Sequence, residues 1–506
     1  MRLLVICLCA VAVSASVGRP VVAAATTCES IAAIALPHTH ITRAQLVPAG
    51  RFAGTPEGIL APGAPAFRPY NTLPEFCRVT ATLTPSSDSA ITIDVWMPAA
   101  GWNGKLLGLG NGGWGGQLTV QQLALNLMRG YAVAQSDTGH PQNGGSGSFA
   151  LDHPEKLIDF SYRAVHEMTI QAKALVTAYL GAAPKLSYWD GCSTGGRQGL
   201  KEAQRYPADY DAIIAGAPAN FMTHMLAQQL MVAQVNLKDA ASRIPPEKFP
   251  AIHRAALAQC DALDGVTDDA IEDPTQCHFD PKSMQCATTD APTCLTAAQV
   301  ETARRIYAPA RSPKTGAEIF PGLEPGSELG WSGLAGPAPL SIPDDYYKYV
   351  VFRNPAWDFR TLDPDRDVAL ADTLDNGADN AIDPNLTPFF ARGGKLLLYH
   401  GWTDQLIAPR NTINYYQSVV SARAGAATAM RLFMMPDAPH CAVNFDKLAV
   451  MEQWVEQQRA PDRIVASHLT AGKVDRTRPL CPYPQVATYL GAGSTTDAAS
   501  FVCKAR

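Results

Sequence analysis

The chain is sparing with charge, with basic clusters and with long apolar runs. Of its 506 residues only 17% are charged, 41 Lys and Arg against 46 Asp and Glu, for a formal net charge of −5. No Lys/Arg block stands out, so the electrostatic footprint of a nucleic-acid partner is missing. Outside the extreme N-terminus no stretch is apolar enough to engage a membrane. There is no internal repeat and no low-complexity tract, which excludes solenoid and collagen-like architectures. With hydrophobic residues at 47%, a disordered chain is excluded too. Length alone suggests about three domains, or one large α/β enzyme with an insertion.

The one apolar run, Leu3 to Val13, follows Arg2 and precedes Ala23-Ala24-Ala25. A short positive region, a short apolar stretch and an A-x-A site predict a cleaved signal peptide over residues 1–25. The mature protein is therefore expected to be secreted or periplasmic, with no membrane attachment after cleavage. Two of the twelve cysteines, Cys7 and Cys9, fall in that leader, leaving ten. An even number in an oxidising compartment predicts five disulfides. Spacing suggests three local pairs: Cys260 with Cys277, Cys286 with Cys294, and Cys481 with Cys503.

Strands and helices alternate through the first half. Short apolar runs at 105–109, 131–136, 186–189 and 210–215 read as strands. Residues 117–129, 161–180 and 197–205 read as helices. This alternation predicts a mostly parallel sheet flanked by helices. From 221 to 385 the pattern gives way to Pro, Asp, Cys and turns, then resumes at 395–399 and 430–435. The expected organisation is a core over 26–220, a lid over 221–385, and a second core part over 386–506 with a disulfide-closed tail.

Reactive residues fall at strand ends. Gly191-Cys192-Ser193-Thr194-Gly195 matches G-x-S-x-G between a strand and a helix, the context of a nucleophile elbow. Small flanking residues let the strained turn lift the hydroxyl clear of the chain. A serine hydroxyl is a weak nucleophile and needs a base oriented by an acid. In the chain order Ser, Asp, His, the strand-end residues Asp404 and His440 fill those roles, with Asp437 as a rival acid. His400, four residues before the acid, is read as a wall of the substrate pocket. Leu406 and Ile407 border the leaving-group side. Cys192 adjoins the serine and Cys441 adjoins the histidine, so a disulfide between them would strap the two reacting loops together.

The glycines from Gly108 to Gly113 admit two readings. They imitate a dinucleotide fingerprint, which would make the protein an NAD- or FAD-dependent oxidoreductase. In an esterase the same loop supplies an oxyanion-hole amide, assigned to Gly113, or Gly112, together with that of Thr194. A third alternative is a catalytically silent binding protein on the same fold.

Asp190 to Gln198, Ala203 to Pro207, Trp357 to Phe359, His400 to Asp404 and the terminal His-Cys together resemble the tannase/feruloyl esterase family, which also includes hydrolases of mono(2-hydroxyethyl) terephthalate. The resemblance runs from about Cys28 to Cys503. It implies an α/β-hydrolase fold with a large lid before the acid-bearing strand end. It implies Ser193, Asp404 and His440 as the triad, and the pairs Cys28–Cys77 and Cys192–Cys441 beside the local ones. It also implies a structural Ca²⁺ in the lid, held by Asp261, Asp264, Asp268 and the carbonyls of Val266 and Ala270. These are hard oxygen donors of the kind calcium takes. Asp269-Ala270 departs from the Gly followed by Val or Ile that family members often have there. The implied substrate is a small aromatic ester, galloyl, hydroxycinnamoyl or terephthaloyl, free or attached to plant polysaccharide or polyphenol, with no organic cofactor. Tyr346 to Tyr349 and Phe352 to Trp357 either line the pocket or form the lid's own core.

Overall fold

In the computed structural model, residues 26–53, 69–141 and 144–505 are described. The proposed leader lies outside them. A nine-stranded sheet organises the molecule. In chain order its strands are β1 (Thr39–Val47), β2 (Phe76–Leu83), β3 (Ile91–Pro98), β4 (Lys105–Leu109), β5 (Ala132–Ser136), β6 (Leu186–Cys192) and β7 (Ala212–Gly216). After a lid hairpin of β8 (Ala310–Arg311) and β9 (Glu318–Phe320) come β10 (Lys395–Gly401) and β11 (Met430–Met435). The spatial order is β1-β2-β3-β5-β4-β6-β7-β10-β11. From β5 to β11 every neighbouring pair is parallel. The first three strands run antiparallel to their neighbours. That N-terminal meander was not read from sequence, because β1 alternates weakly and fully buries only one of its nine residues.

The parallel strands are buried on both faces, which is why they read as continuous apolar runs and not as alternating ones. One face packs on helices Ala164–Leu180 and Arg410–Ala422, around Met168, Leu175, Trp189 and Leu398. The other packs on helices Val120–Leu127 and Lys447–Gln457, around Trp96, Tyr188, Leu397 and Phe433. The helix expected over 117–129 is shorter than its pattern. It starts late because Thr119, at φ −87° and ψ 84°, is outside the helical region, its amide donating to Gln135 Oε1, and it ends near Gly130, whose φ is +80°. The helix expected from 161 is entered through a π-turn, Asp159–Arg163. The strand leading to Ser193 extends three residues past its predicted end, and the helix after it begins three residues earlier, at Thr194.

Segment 221–385 builds a third apolar cluster, with Leu226, Leu230, Phe249, Trp331, Tyr346 and Tyr347 among its buried members. Tyr347 stacks on Trp357 at 5.4 Å, and Phe352 stacks on Trp357 at 5.2 Å. Tyr346, Tyr347, Phe352 and Trp357 therefore pack in the lid's own core and not in the serine cavity, while Tyr349 lines a separate cleft. Two buried cations on helix Thr194–Arg205 hold the chain's return from lid to sheet. Arg197 pairs with Asp379 at 3.0 Å. Lys201 donates to the carbonyls of Gly377 (3.0 Å) and Asn380 (2.5 Å). No helix among the described residues is long and apolar enough to cross a membrane.

Candidate active site

The carboxyl ends of β4, β6, β10 and β11 meet in one cavity of about 490 Å³, lined by Gly110 to Gly113, Ser193, Leu406, His440 and Cys441 among others. Ser193 sits between β6 and its helix with φ +60° and ψ −120°, a strained backbone persisting only where the surroundings enforce it. They do so at close range. Its amide donates to Gly216 O at 3.0 Å, and its carbonyl accepts from Arg197 and Ala219 at 3.0 and 3.1 Å. A Cβ on Gly191 would lie 2.4 Å from the backbone of Gly195, and one on Gly196 2.4 Å from Gly216 O. Only glycine permits that crowding.

Asp404 leaves β10 and is completely buried. Its Oδ1 accepts the amides of Leu406 (2.8 Å) and Ile407 (2.9 Å). Its Oδ2 accepts from His440 Nδ1 at 2.7 Å and from His400 Nε2 at 3.0 Å. Burial acts to raise this carboxyl, but the His440 charge and the two histidine hydrogen bonds prevail and hold it far below the usual carboxylate range. Burial likewise acts to lower His440, and the Asp404 charge and hydrogen bond outweigh it, lifting the imidazole above its ordinary value. With Nδ1–H donating to Asp404 Oδ2, Nε2 is left as the basic nitrogen. Asp437, the rival acid, lies elsewhere, lining a separate cleft with Asp268, Arg476 and Arg478.

Two expectations for the pocket are corrected. His400 is not a wall of it. The residue is fully buried, its Nε2–H shared between Asp404 Oδ2 and the Ile407 carbonyl at 3.1 Å, while Nδ1 accepts from the Thr412 hydroxyl at 2.7 Å. The ring faces away from the cavity because His400 shares the β10 face of Leu396 and Leu398, which packs on helix Arg410–Ala422 and its Thr412, whereas Tyr399 on the opposite face lines the cavity. Ile407 is 2% exposed and touches the site only through its backbone, whereas Leu406 does line the cavity. Sequence reading missed Ile342, which the lid contributes, and the polar residues Thr119, Gln122, Asp190 and Lys447. Nothing in their local pattern marks them, since the fold brings them together from four elements.

The glycine loop packs against the elbow. A Cβ on Gly110 would lie 2.5 Å from the Gly195 Cα. The next helix starts only at Val120, so no helix N-terminus directly follows the glycines as a dinucleotide site requires. Gly113, at φ +54°, accepts the Thr194 hydroxyl on its carbonyl at 2.6 Å. Among the described residues neither the Gly113 nor the Thr194 amide donates a hydrogen bond to protein.

Five disulfides are formed: Cys28–Cys77, Cys192–Cys441, Cys260–Cys277, Cys286–Cys294 and Cys481–Cys503. Cys192 and Cys441, flanking the serine and the histidine, have Cα atoms 5.8 Å apart across a separation of 249 residues.

The acidic loop follows helix Phe249–Cys260 and is closed by Cys260–Cys277. Asp261 accepts the amides of Asp268 (3.1 Å) and Asp269 (3.0 Å). Asp264 accepts the Val266 amide at 2.9 Å. Burial raises the Asp264 carboxyl, and the charges of Asp268 and Asp261 add to the rise. Asp268 pairs with Arg476 at 3.0 Å and also with Arg478. Asp269 adopts φ +62°, so the turn forms without the family's glycine, Asp being among the residues that tolerate the left-handed region. No hydrogen bond among the described residues ends on the carbonyls of Val266 or Ala270. Carboxylates beside two unused carbonyls are donors of the kind a hard cation takes, but Asp268 is engaged by two arginines and the ligand oxygens of Asp261, Asp264 and Asp268 do not all come within 4.8 Å of one another.

The sequence matches the family described as tannase and feruloyl esterase over residues 77–504. It is 37% identical to an uncharacterized esterase of Xanthomonas campestris pv. campestris, over 95% of this chain and 91% of that protein. It is 33% identical to a protein named probable feruloyl esterase B-1 from Aspergillus oryzae, over 85% of this chain and 84% of the other. The crystal structure of feruloyl esterase B from Aspergillus oryzae superposes with a TM-score of 0.86 at 31% identity, covering 94% of this chain and 99% of that one. Tannin acyl hydrolase from Aspergillus niger shares the fold, with a TM-score of 0.76 at 22% identity over 94% of each chain. A strand-borne serine elbow on a mostly parallel sheet, matched over nearly the whole chain, makes this an α/β-hydrolase and a carboxylic ester hydrolase, and the chain belongs to the tannase and feruloyl esterase family.

Proposed function

We propose that the protein is an exported serine esterase that cleaves esters of aromatic acids, galloyl, hydroxycinnamoyl or terephthaloyl, including those borne by plant polysaccharide or polyphenol. The observation that carries this reading is the Asp404–His440 hydrogen bond of 2.7 Å in a cavity that also holds Ser193 on its strained elbow. Ser193 Oγ attacks the ester carbonyl and His440 Nε2 takes its proton. Asp404 fixes the imidazole tautomer and stabilises the imidazolium. The amides of Thr194 and Gly113 receive the oxyanion. The alcohol departs with the proton from His440, leaving an acyl-enzyme that water, activated by the same histidine, hydrolyses. His440 acts as base only when neutral, and its value is raised. Activity is therefore expected to rise with pH through a limb above the ordinary histidine value.

Asp261, Asp264, Asp268 and the carbonyls of Val266 and Ala270 would hold a structural Ca²⁺. Its charge would bind the acidic turn together at the lid's edge, with no part in the chemistry. Export is supported by the five disulfides.

The test is hydrolysis of methyl gallate, methyl ferulate, mono(2-hydroxyethyl) terephthalate and p-nitrophenyl acetate by the wild-type protein and Ser193→Ala. Turnover of an aromatic ester that falls at least about 10⁴-fold in the variant is expected. Turnover of p-nitrophenyl acetate alone would void the aromatic assignment. Substantial turnover by Ser193→Ala would void the nucleophile.

A further inference from the structure

At the end of helix Thr194–Arg205 remote from Ser193, three side chains from three segments converge. His166 comes from the first turn of helix Ala164–Leu180 and Glu202 from the last turn of helix Thr194–Arg205. Asp209 comes from the turn that leads into β7. One imidazole nitrogen and one oxygen of each carboxyl group lie within 4.8 Å of one another. His166 Nδ1 and Asp209 Oδ2 are 2.6 Å apart. The Tyr206 ring stacks on the imidazole at 3.6 Å with an interplanar angle of 8°, which fixes its plane. The side chains of His166 and Asp209 are 23% and 12% exposed, so solvent reaches the cluster, whereas Glu202 is 1% exposed.

Glu202 is the residue that protein contacts leave unexplained. Neither of its carboxyl oxygens accepts a hydrogen bond from an amide, a hydroxyl or a cationic side chain among the described residues. A buried carboxylate without such partners is costly. Burial, with the Asp209 charge beside it, raises Glu202 well above the ordinary carboxyl value, so without an ion it keeps a proton shared with Asp209. Lys173 does not complete the cluster. Its ammonium donates to the carbonyls of Ala208 and Asp209, and only its charge acts on Glu202. Two carboxyl groups and one imidazole aimed at a common point are the donor set of a divalent cation. The mixture of nitrogen with oxygen favours zinc over calcium or magnesium. An ion about 2.1 Å from each donor would open the His166–Asp209 contact to about 3.3 Å, a small movement for two partly exposed side chains.

We propose that His166, Glu202 and Asp209 form a zinc site, completed by water as the fourth ligand. The ion displaces the Glu202 proton to solvent and links the two helices to the turn before β7. It braces the core at the end away from the cavity and takes no part in ester chemistry.

The experiment titrates Zn²⁺ calorimetrically into the purified full chain, stripped with dipicolinate and kept in excess Ca²⁺, in two buffers of different ionisation enthalpy. Wild type should bind one ion at this site, release about one proton at pH 7 and gain melting temperature with added zinc. Glu202→Gln keeps the volume and can still donate to Asp209, so the fold without the ion is retained. In it, and in His166→Gln, zinc affinity should fall at least about 100-fold and the gain in melting temperature should vanish. Unchanged affinity in either variant would overturn the site. So would the absence of binding by wild type, which would leave Glu202 as a protonated carboxyl paired with Asp209. Should a variant fail to fold, zinc-edge anomalous diffraction from wild-type crystals grown with Zn²⁺ decides. A peak about 2 Å from His166 Nδ1 is expected, and peaks only elsewhere would overturn the proposal.

Discussion

At the strand ends, backbone places the reactive groups. Gly191 and Gly195 touch backbone to backbone, two amides clamp Asp404 Oδ1, and Ser193 is held in its strained turn by main-chain hydrogen bonds. The lid across the cavity is held by side chains. Aromatic stacking around Trp357, the buried Glu328 that accepts from His253 at 2.9 Å and from Tyr307 at 2.5 Å, and the short disulfides Cys260–Cys277 and Cys286–Cys294 do the work that strand ladders do elsewhere. The contrast teaches that the catalytic rim tolerates almost no change in shape. The lid, whose supports are replaceable one at a time, can vary what the rim meets.

Three experiments would sharpen or break this contrast. The largest effect is expected at the rim. Asp404→Asn should lower kcat by about 10⁴-fold with the fold intact, because the carboxamide can favour the wrong histidine tautomer. It should also move the acidic limb of kcat/KM downward, since the charge that lifts His440 is gone. A loss below about tenfold would mean that another group orients the base. The middle effect concerns the strap between the two reacting loops. Replacing Cys192 and Cys441 together by Ala should reduce kcat by roughly tenfold, change KM by under about twofold, and cost about 2–5 kcal/mol of stability. Wild-type kcat in the double variant would show that the backbone alone suffices. The smallest effect belongs to the lid. Chelation of calcium should lower the melting temperature by about 2–4 °C while leaving kcat at 25 °C within about twofold. No shift in melting would remove the structural cation, and a collapse of kcat would give it a role at the rim.

The same contrast explains what could be read in advance. That Ser193, Asp404 and His440 come together at neighbouring strand ends was legible because each follows an apolar run that could only be a buried strand; their catalytic roles belong to the proposed function. The buried side of such a strand was harder to assign. His400 and Ile407 were set against the substrate, although the two-residue period of β10 puts His400 on the face toward helix Arg410–Ala422 and leaves Tyr399 facing the cavity. The antiparallel meander escaped notice because its exposed outer strand, β1, carries little apolar signal. Lys447 and Asp190 are separated by 257 positions, and no local pattern announces that they meet. The lid aromatics could not be apportioned between pocket and core, since Tyr347 and Trp357 find each other only through tertiary packing.

The Cys192–Cys441 bond also encloses the whole lid. Every residue from Ser193 to His440 lies within one covalent ring, which in the chain-entropy picture restricts the unfolded chain by roughly 5 kcal/mol. A protease that nicked an exposed lid turn would open that ring without parting it. The two pieces would stay joined beside Ser193 and His440 and migrate as one species until reduced. A cut lid could thus remain in place over a site still able to turn over.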